Sequence, residues 1–332
     1  MSIGGEGRQT GEDPTSAVEV LFLNVGQGDA TLAVDLGTRQ ALLIDCPSGR
    51  EYVVEEALAH RSALLHTAIV THWDFDHYGG VLNVLSRGDC QNFYYNHDCL
   101  IAEGRNARVK ATLRRLRSPL YRDIDFGSAE RDRSGRLGNL TYRLLAPTHR
   151  QLTDAVAAGD KNLGSAVVLL QAHGSRVLVG GDADGRVWRT VLSRPESIEA
   201  PVLRWPHHGA MRHQEATTDA GLLAAVQPEL VVLSAGTNNS YKHPLPSTLD
   251  AVVARSTEVM CTQVTGKCHS ALPSDEVPCA GSVSLVLAPN GIRQIDPSGE
   301  RHRATVDKWD RPLCRMPAPH YIGKGFKART PT

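Results

Sequence analysis

Two imidazoles and two carboxylates fall within six positions, His72, Asp74, Asp76 and His77, in Thr-His-Trp-Asp-Phe-Asp-His-Tyr-Gly-Gly. Mixed nitrogen and oxygen donors are the set that Zn²⁺ or Mn²⁺ accepts. The alternative is a polar turn with hydrogen-bonded histidines. Four such donors this close would repel or stand unpaired without a cation, which favours metal. A short apolar strand, Ala68-Ile69-Val70, precedes them. Gly79-Gly80 then open a helix with Val81, Leu82, Val84 and Leu85 on its apolar side. Donors just past a strand's carboxyl end lie at the sheet edge, where sites in α/β folds are usually found.

This stretch resembles the His-x-[His/Asp]-x-Asp-His signature of the metallo-β-lactamase superfamily. The Asp at its third position resembles the branch that includes the hydrolase domain of ComEC-type DNA-uptake proteins, here as a stand-alone protein. Further landmarks follow in chain order. Val18–Leu23 and Ala30–Leu36 read as strands flanking Asn24-Val25-Gly26-Gln27-Gly28-Asp29, which is similar to the branch's Val-Gly-Gln-Gly-Asp. Gly26 and Gly28 suit a tight turn whose backbone approaches something closely. Asp45 ends a third strand, and the resemblance implies that it supports the metal loop without binding metal. Cys46 reads as a small buried hydrophobe, and Glu51–His60 as a helix.

The second half repeats this logic. Thr141–Leu145, Ser165–Ala172 and Arg176–Val179 read as strands, the last running into Gly180-Gly181-Asp182-Ala183-Asp184. The resemblance makes Asp182 a carboxylate shared by two metals, with Asp184 the fallback. Most superfamily members supply another His before this Asp. Lys161-Asn162-Leu163-Gly164-Ser165 has none, which leaves the site of His72 and Asp74 one ligand short: it either binds its ion weakly, uses Asn162 or Ser165 indirectly, or stays empty without substrate. Pro206-His207-His208-Gly209 resembles the branch's His-His-Gly. Adjacent side chains on an extended segment point to opposite sides, so one of the two histidines should face the metals. His208 is expected as ligand or active-site acid, and His207 as structural or substrate-facing. Tyr241-Lys242-His243-Pro244 resembles Tyr-Gly-His-Pro, which implies His243 as the last metal ligand. Lys242 either meets a phosphate or stays solvated.

The resemblance implies an α/β fold, a four-layer αββα sandwich of two mixed sheets with helices outside and metals at one edge. It assigns two divalent ions, Zn or Mn, to His72, Asp74, Asp76, His77, Asp182, His208 and His243. Two such ions sharing a water bring its pKa from 15.7 to near ~7. Asp76 would both ligate and orient the nucleophile, and His207 or His208 would protonate the leaving oxygen. Phosphodiester hydrolysis, with DNA as substrate, competes with hydrolysis of a smaller ester, lactone, β-lactam or phosphoester. It also competes with a catalytically silent binding subunit with a protein partner in a larger assembly.

Glu103–Arg117 reads as a helix with Val109, Leu113 and Leu116 on one face. Cations around the rest, among them Arg105, Arg108, Arg114 and Arg115, could track phosphates or simply be solvated. Cys261, Cys268, His269 and Cys279 could form a structural zinc site, or be buried thiols or a disulfide; the spacing matches no standard finger. Over 332 residues the net charge is zero, so attraction to nucleic acid must come from a local patch. The sequence shows no membrane-spanning run and no signal peptide, which makes the cytoplasm the expected location. Residues 1–16 read as a disordered leader, 17–300 as the hydrolase domain, and 301–332 as a basic, Pro-containing tail.

Overall fold

The computed structural model describes residues 16–310 and 312, apart from 88, 103–105 and 273–275. The expected leader, apart from Ser16, and most of the tail lie outside the described residues, as does Arg105. Among the described residues fifteen strands follow in chain order. They are β1 (Val18–Phe22), β2 (Thr31–Asp35), β3 (Gln40–Ile44), β4 (Leu64–Ile69), β5 (Asn92–Tyr94), β6 (Asp125–Gly127), β7 (Ser134–Leu137) and β8 (Leu140–Ala146). The second half adds β9 (Val167–Ala172), β10 (Ser175–Val179), β11 (Val202–Arg204), β12 (Leu230–Leu233), β13 (Glu258–Cys261), β14 (Val283–Ala288) and β15 (Gly291–Asp296).

They form an eight-stranded sheet, β15-β14-β1-β2-β3-β4-β5-β6, and a seven-stranded sheet, β13-β12-β11-β10-β9-β8-β7. Both are mixed, and each turns from antiparallel to parallel partway across. In the first sheet β1, β2 and β3 pair antiparallel, while β3, β4, β5 and β6 run parallel. In the second β8, β9 and β10 pair antiparallel, while β10, β11, β12 and β13 run parallel. The αββα expectation holds.

Side-chain alternation explains the layering. Val18, Val20 and Phe22 share one core with Val168, Leu170, Val177, Val179 and Val232, filling the space between the sheets. Their neighbours Leu21, Leu32, Leu43, Leu169, Leu178 and Leu203 belong to a second core with helical residues such as Val54, Leu152, Trp188 and Leu223. Strands covered on both faces read as near-continuous apolar runs, which is why β1 and β12 are buried along their whole length. Where parallel strands meet helices, their carboxyl ends open at one edge, and the loops after β3, β4, β10, β11 and β12 carry the polar residues discussed next.

Several elements depart from expectation. The helix expected over 103–117 runs from Ala107 to Leu116, with the Asn106 side chain accepting from the Arg108 amide. A helix at Gly299–Val306 follows β15, so the start of the expected tail packs on the domain through buried His302 and Val306. Among the described residues no helix is long and apolar enough to cross a membrane.

Candidate metal centre

The turn after β4 gathers its donors through backbone bonds. The His77 and Tyr78 amides donate to the Asp74 carbonyl, starting the short helix Phe75–Tyr78. Gly28 lets a second turn approach it, because a Cβ there would lie 2.5 Å from the Asp76 carbonyl oxygen at φ +131. The Asp29 amide donates to that same oxygen at 3.1 Å. The close approach expected of this glycine turn is therefore to the metal loop itself.

Asp182 sits at the centre of the cluster, buried, with its amide donating to Ser165 Oγ at 3.0 Å. Its carboxylate lies 3.6 Å from His72 Nε2 and 3.2 Å from His77 Nε2. It lies 3.8 Å from both His207 Nε2 and His208 Nε2. His72 Nε2 also lies 3.3 Å from Asp74, and His208 Nε2 lies 3.5 Å from Asp76. Two overlapping groups, His72–His77–Asp182 and Asp76–His77–His208, have ligand atoms close enough to hold an ion.

The partners on the far side of each ring set which nitrogen faces the cluster. Asp45 Oδ2 lies 2.8 Å from His77 Nδ1, and Asp45 also accepts from Thr71 through its amide and hydroxyl. His208 Nδ1 lies 3.1 Å from the Ser234 carbonyl, an obligate acceptor. In both rings Nδ1 donates and the lone pair of Nε2 is left for the centre, the usual orientation of a metal-ligating histidine. His207 is the reverse. Its Nδ1 accepts from Asn162 Nδ2 at 3.3 Å, so its proton resides on Nε2.

Burial alone would raise the Asp182 carboxyl, but His77, His208 and His72 hold it well below the usual carboxylate range. Burial would lower His208, yet Asp182, Asp29 and Asp76 push it up to about 10, so a cation reaching its Nε2 would displace a proton. Burial, with His208 and His207 nearby, pushes His243 down to about 4. The donor set fits a divalent cation. His72 Nε2, Asp182 Oδ1 and His243 Nδ1 are buried polar atoms without a hydrogen-bond partner, and divalent ions would satisfy all three.

The paired histidines do not lie on the extended segment expected of them. His207 and His208 both have φ +52, a left-handed turn and not an extended strand, so the alternation rule does not apply. The His207 amide donates to the Gly181 carbonyl at 2.9 Å, and this holds the turn over Asp182. The ring of His243 is centred 5.4 Å from that of His207 and 6.2 Å from that of His208. Asp184 turns away to cap the helix Gly185–Leu192, accepting from the Arg186 and Val187 amides and pairing with Arg186. Asp160, Asp184 and His213 also lie within ligating reach of one another. Arg186 already pairs with both acids there.

Lys161 was read only as part of a stretch lacking histidine. Its ammonium donates to Asp74 at 2.9 Å, in the half of the centre that is short of a ligand. Asp29 and Arg204 were also missed. They form a buried two-pronged ion pair at 2.6 and 3.1 Å, and Asp29 lies 3.4 Å from His208 Nδ1. The signal was available, since Arg204 ends an otherwise apolar strand.

The other expected residues are spread more widely. The Arg108 guanidinium stacks 4.5 Å over the Phe75 ring, beside Asp74 and Asp76. Arg115 bonds Tyr121 and Arg114 bonds the Lys110 carbonyl, so neither is engaged with the metal loop. Lys242 is exposed. Burial pushes the Cys46 thiol up, in keeping with a packing role.

The Metallo-beta-lactamase superfamily model matches residues 23–234. The chain belongs to this superfamily, which is made up mostly of metal-dependent hydrolases and typically binds divalent metals. Within it the chain resembles ComEC-type competence proteins at low identity. It is 23% identical over 270 residues to ComE operon protein 3 of Bacillus subtilis, covering 76% of this chain and 33% of that protein. It is 28% identical over 260 residues to Recombination protein 2 of Haemophilus influenzae, covering 76% of this chain and 28% of that protein. The chain thus spans about a third of the length of these relatives. Among solved structures, the metallo-beta-lactamase fold protein YhfI from Bacillus subtilis aligns at 14% identity with a TM-score of 0.48, covering 74% of this chain and 95% of that one.

Proposed function

We propose that this chain is a metal-dependent phosphodiesterase that cleaves DNA. The observation that carries this reading is the meeting of His72, His77 and His208 around Asp182, with the Nε2 atoms of His77 and His208 turned inward. Divalent ions held there, Zn or Mn, would make a water acidic enough to attack at neutral pH and would offset charge on the attacked phosphorus.

In this reading His72, Asp74 and Asp182 hold one ion, and Asp76, His77, His208 and Asp182 the other. His243 closes the shell through its unpartnered Nδ1. Asp45 and Ser234 keep the ligating rings in register. Asp76, about a third exposed, is placed to orient the nucleophile. His207 has a separate task. Its side chain is 17% exposed and its Nε2 proton points toward the cluster, so it is placed to protonate the leaving oxygen.

DNA is preferred to a smaller ester for two reasons. The relatives are named for competence and recombination. Exposed rings also flank the site, Phe75 under Arg108 and Tyr241 stacked 5.6 Å from His243, and such rings accept nucleobases. Lys242, beside Tyr241, would meet a phosphate. The test couples metal quantification to cleavage of single- and double-stranded DNA with Mn²⁺, Zn²⁺ and Mg²⁺, using Asp76→Ala and His77→Ala as controls. No cutting under any metal, with turnover of generic ester chromogens, would sink the nuclease reading in favour of a small-ester hydrolase. Less than one ion per chain and no turnover would favour a silent binding subunit.

A further inference from the structure

At the far edge of the second sheet lies a set of soft donors that the hydrolytic centre does not use. Cys261 ends β13, Cys268 lies in the loop beyond it, and Cys279 returns alongside. The Cys279 amide donates to the Thr262 carbonyl at 3.1 Å and the Ala280 amide to the Cys261 carbonyl at 2.8 Å. The helix Gly299–Val306 brings His302 onto the same knot. All four residues are at least nine-tenths buried, at 2, 4, 7 and 6% exposure. None of the three cysteines is in a disulfide.

The Cys279 Sγ to His302 Nε2 separation is 3.7 Å. Two ligands of one tetrahedral zinc, at about 2.3 Å for sulfur and about 2.05 Å for nitrogen, stand about 3.6 Å apart. After burial, the neighbouring Cys268 and Cys279 are what oppose ionisation of the Cys261 thiol, so the three sulfurs share one neighbourhood. His269, the imidazole expected to join the cysteines, instead meets Asp310 at 3.0 Å and packs against Trp309. His302 takes its place.

We propose that Cys261, Cys268, Cys279 and His302 form a Cys₃His structural zinc site. No three of the four donors are yet gathered within 4.8 Å of one another. Closing the shell takes side-chain rotation, and binding releases the thiol protons to solvent. The ion would lock a strut beneath the hydrolytic centre. Gln263, two residues past Cys261, accepts from the Thr237 amide at 2.8 Å and donates to Asn24 at 2.9 Å. These contacts brace the loop leading to His243 and the turn leading to Asp29.

The test uses the full chain carrying His77→Ala and Asp182→Ala, so that retained metal reports the thiol set alone. After dialysis against a weak chelator, one zinc per chain should remain. Cobalt replacing it should give thiolate-to-metal charge-transfer absorption, which nitrogen and oxygen donors cannot produce. Cys268→Ser should lose both signals. His302→Cys should keep both, and His302→Ala should weaken zinc binding at least tenfold. In the unsubstituted chain, the buried thiols should resist a thiol reagent until a strong chelator is added. Equal zinc in Cys268→Ser, a folded cobalt form without the charge-transfer band, or a mass reduced by the two hydrogens of a disulfide would each overturn the proposal.

Discussion

Replacing Arg204 by Met isolates the ion pair that joins the two sheets beneath the metal centre. Arg204 is fully buried, its Nε and one terminal nitrogen reach both Asp29 oxygens at 3.1 and 2.6 Å, and its carbon skeleton is close in length to Met. The substitution leaves the Asp29 carboxylate buried without its main partner. Removing one member of a buried pair costs about 3–5 kcal/mol, against roughly 0–1 for a surface pair. At about 2 °C per kcal/mol for a chain of this size, the midpoint should fall by about 6–10 °C. Removing both charges, as Asp29→Leu with Arg204→Met, should recover most of the loss, because no uncompensated ion remains. The assay is urea denaturation of the wild type, both single variants and the double variant, read as a double-mutant cycle. Burial would raise the Asp29 carboxyl, but Arg204 and His208 hold it well below its ordinary value. Such a group adds stability above its unfolded pKa and loses it as pH falls toward the folded one. Without Arg204 the carboxyl takes up its proton at higher pH, so the gap between variant and wild type should narrow as pH drops from 7 to 4. A single-variant cost below about 1 kcal/mol, or additive cycle energies, would refute the argument.

Three further outcomes follow from the site. His207→Ala should lower kcat/KM about 10²–10⁴-fold with metal content unchanged, while His208→Ala should lose metal; equal metal loss in both would remove the distinction drawn from their tautomers. Lys161→His supplies the missing imidazole and frees Asp74 from its ammonium, so metal titration should show tighter binding of the weaker ion; unchanged stoichiometry and affinity would count against that role for Lys161. Asp184→Ala removes a helix cap and should cost about 0.5–2 kcal/mol without metal loss, whereas Asp182→Ala should abolish metal binding, as mass spectrometry of the metal content would show.

Much of the framework was legible because its signals are local. Glu51–His60 is a helix over the span read from its pattern, and β1, β2, β3 and β10 lie within a residue or two of their apolar runs. Short exposed strands such as β6 carry no apolar pattern and were not. The helix His149–Ala158 was missed although Thr148 and Gln151 form a capping box, a readable start signal. The paired histidines failed for a different reason. An extended reading was natural after an apolar strand, but the Gly181 carbonyl captures the His207 amide and bends both residues left-handed.

The sequence by itself determined which donor types exist and that most of them follow strand ends, since both depend on residues within a few positions of one another. Only the tertiary structure decided which atoms meet. It paired Asp29 with Arg204, 175 positions away, set His302 and not His269 against Cys279, and placed an ammonium against Asp74. The direction of a lone pair is set by whatever lies behind the ring, and for His77 and His208 that partner comes from another strand's end, 32 and 26 residues distant.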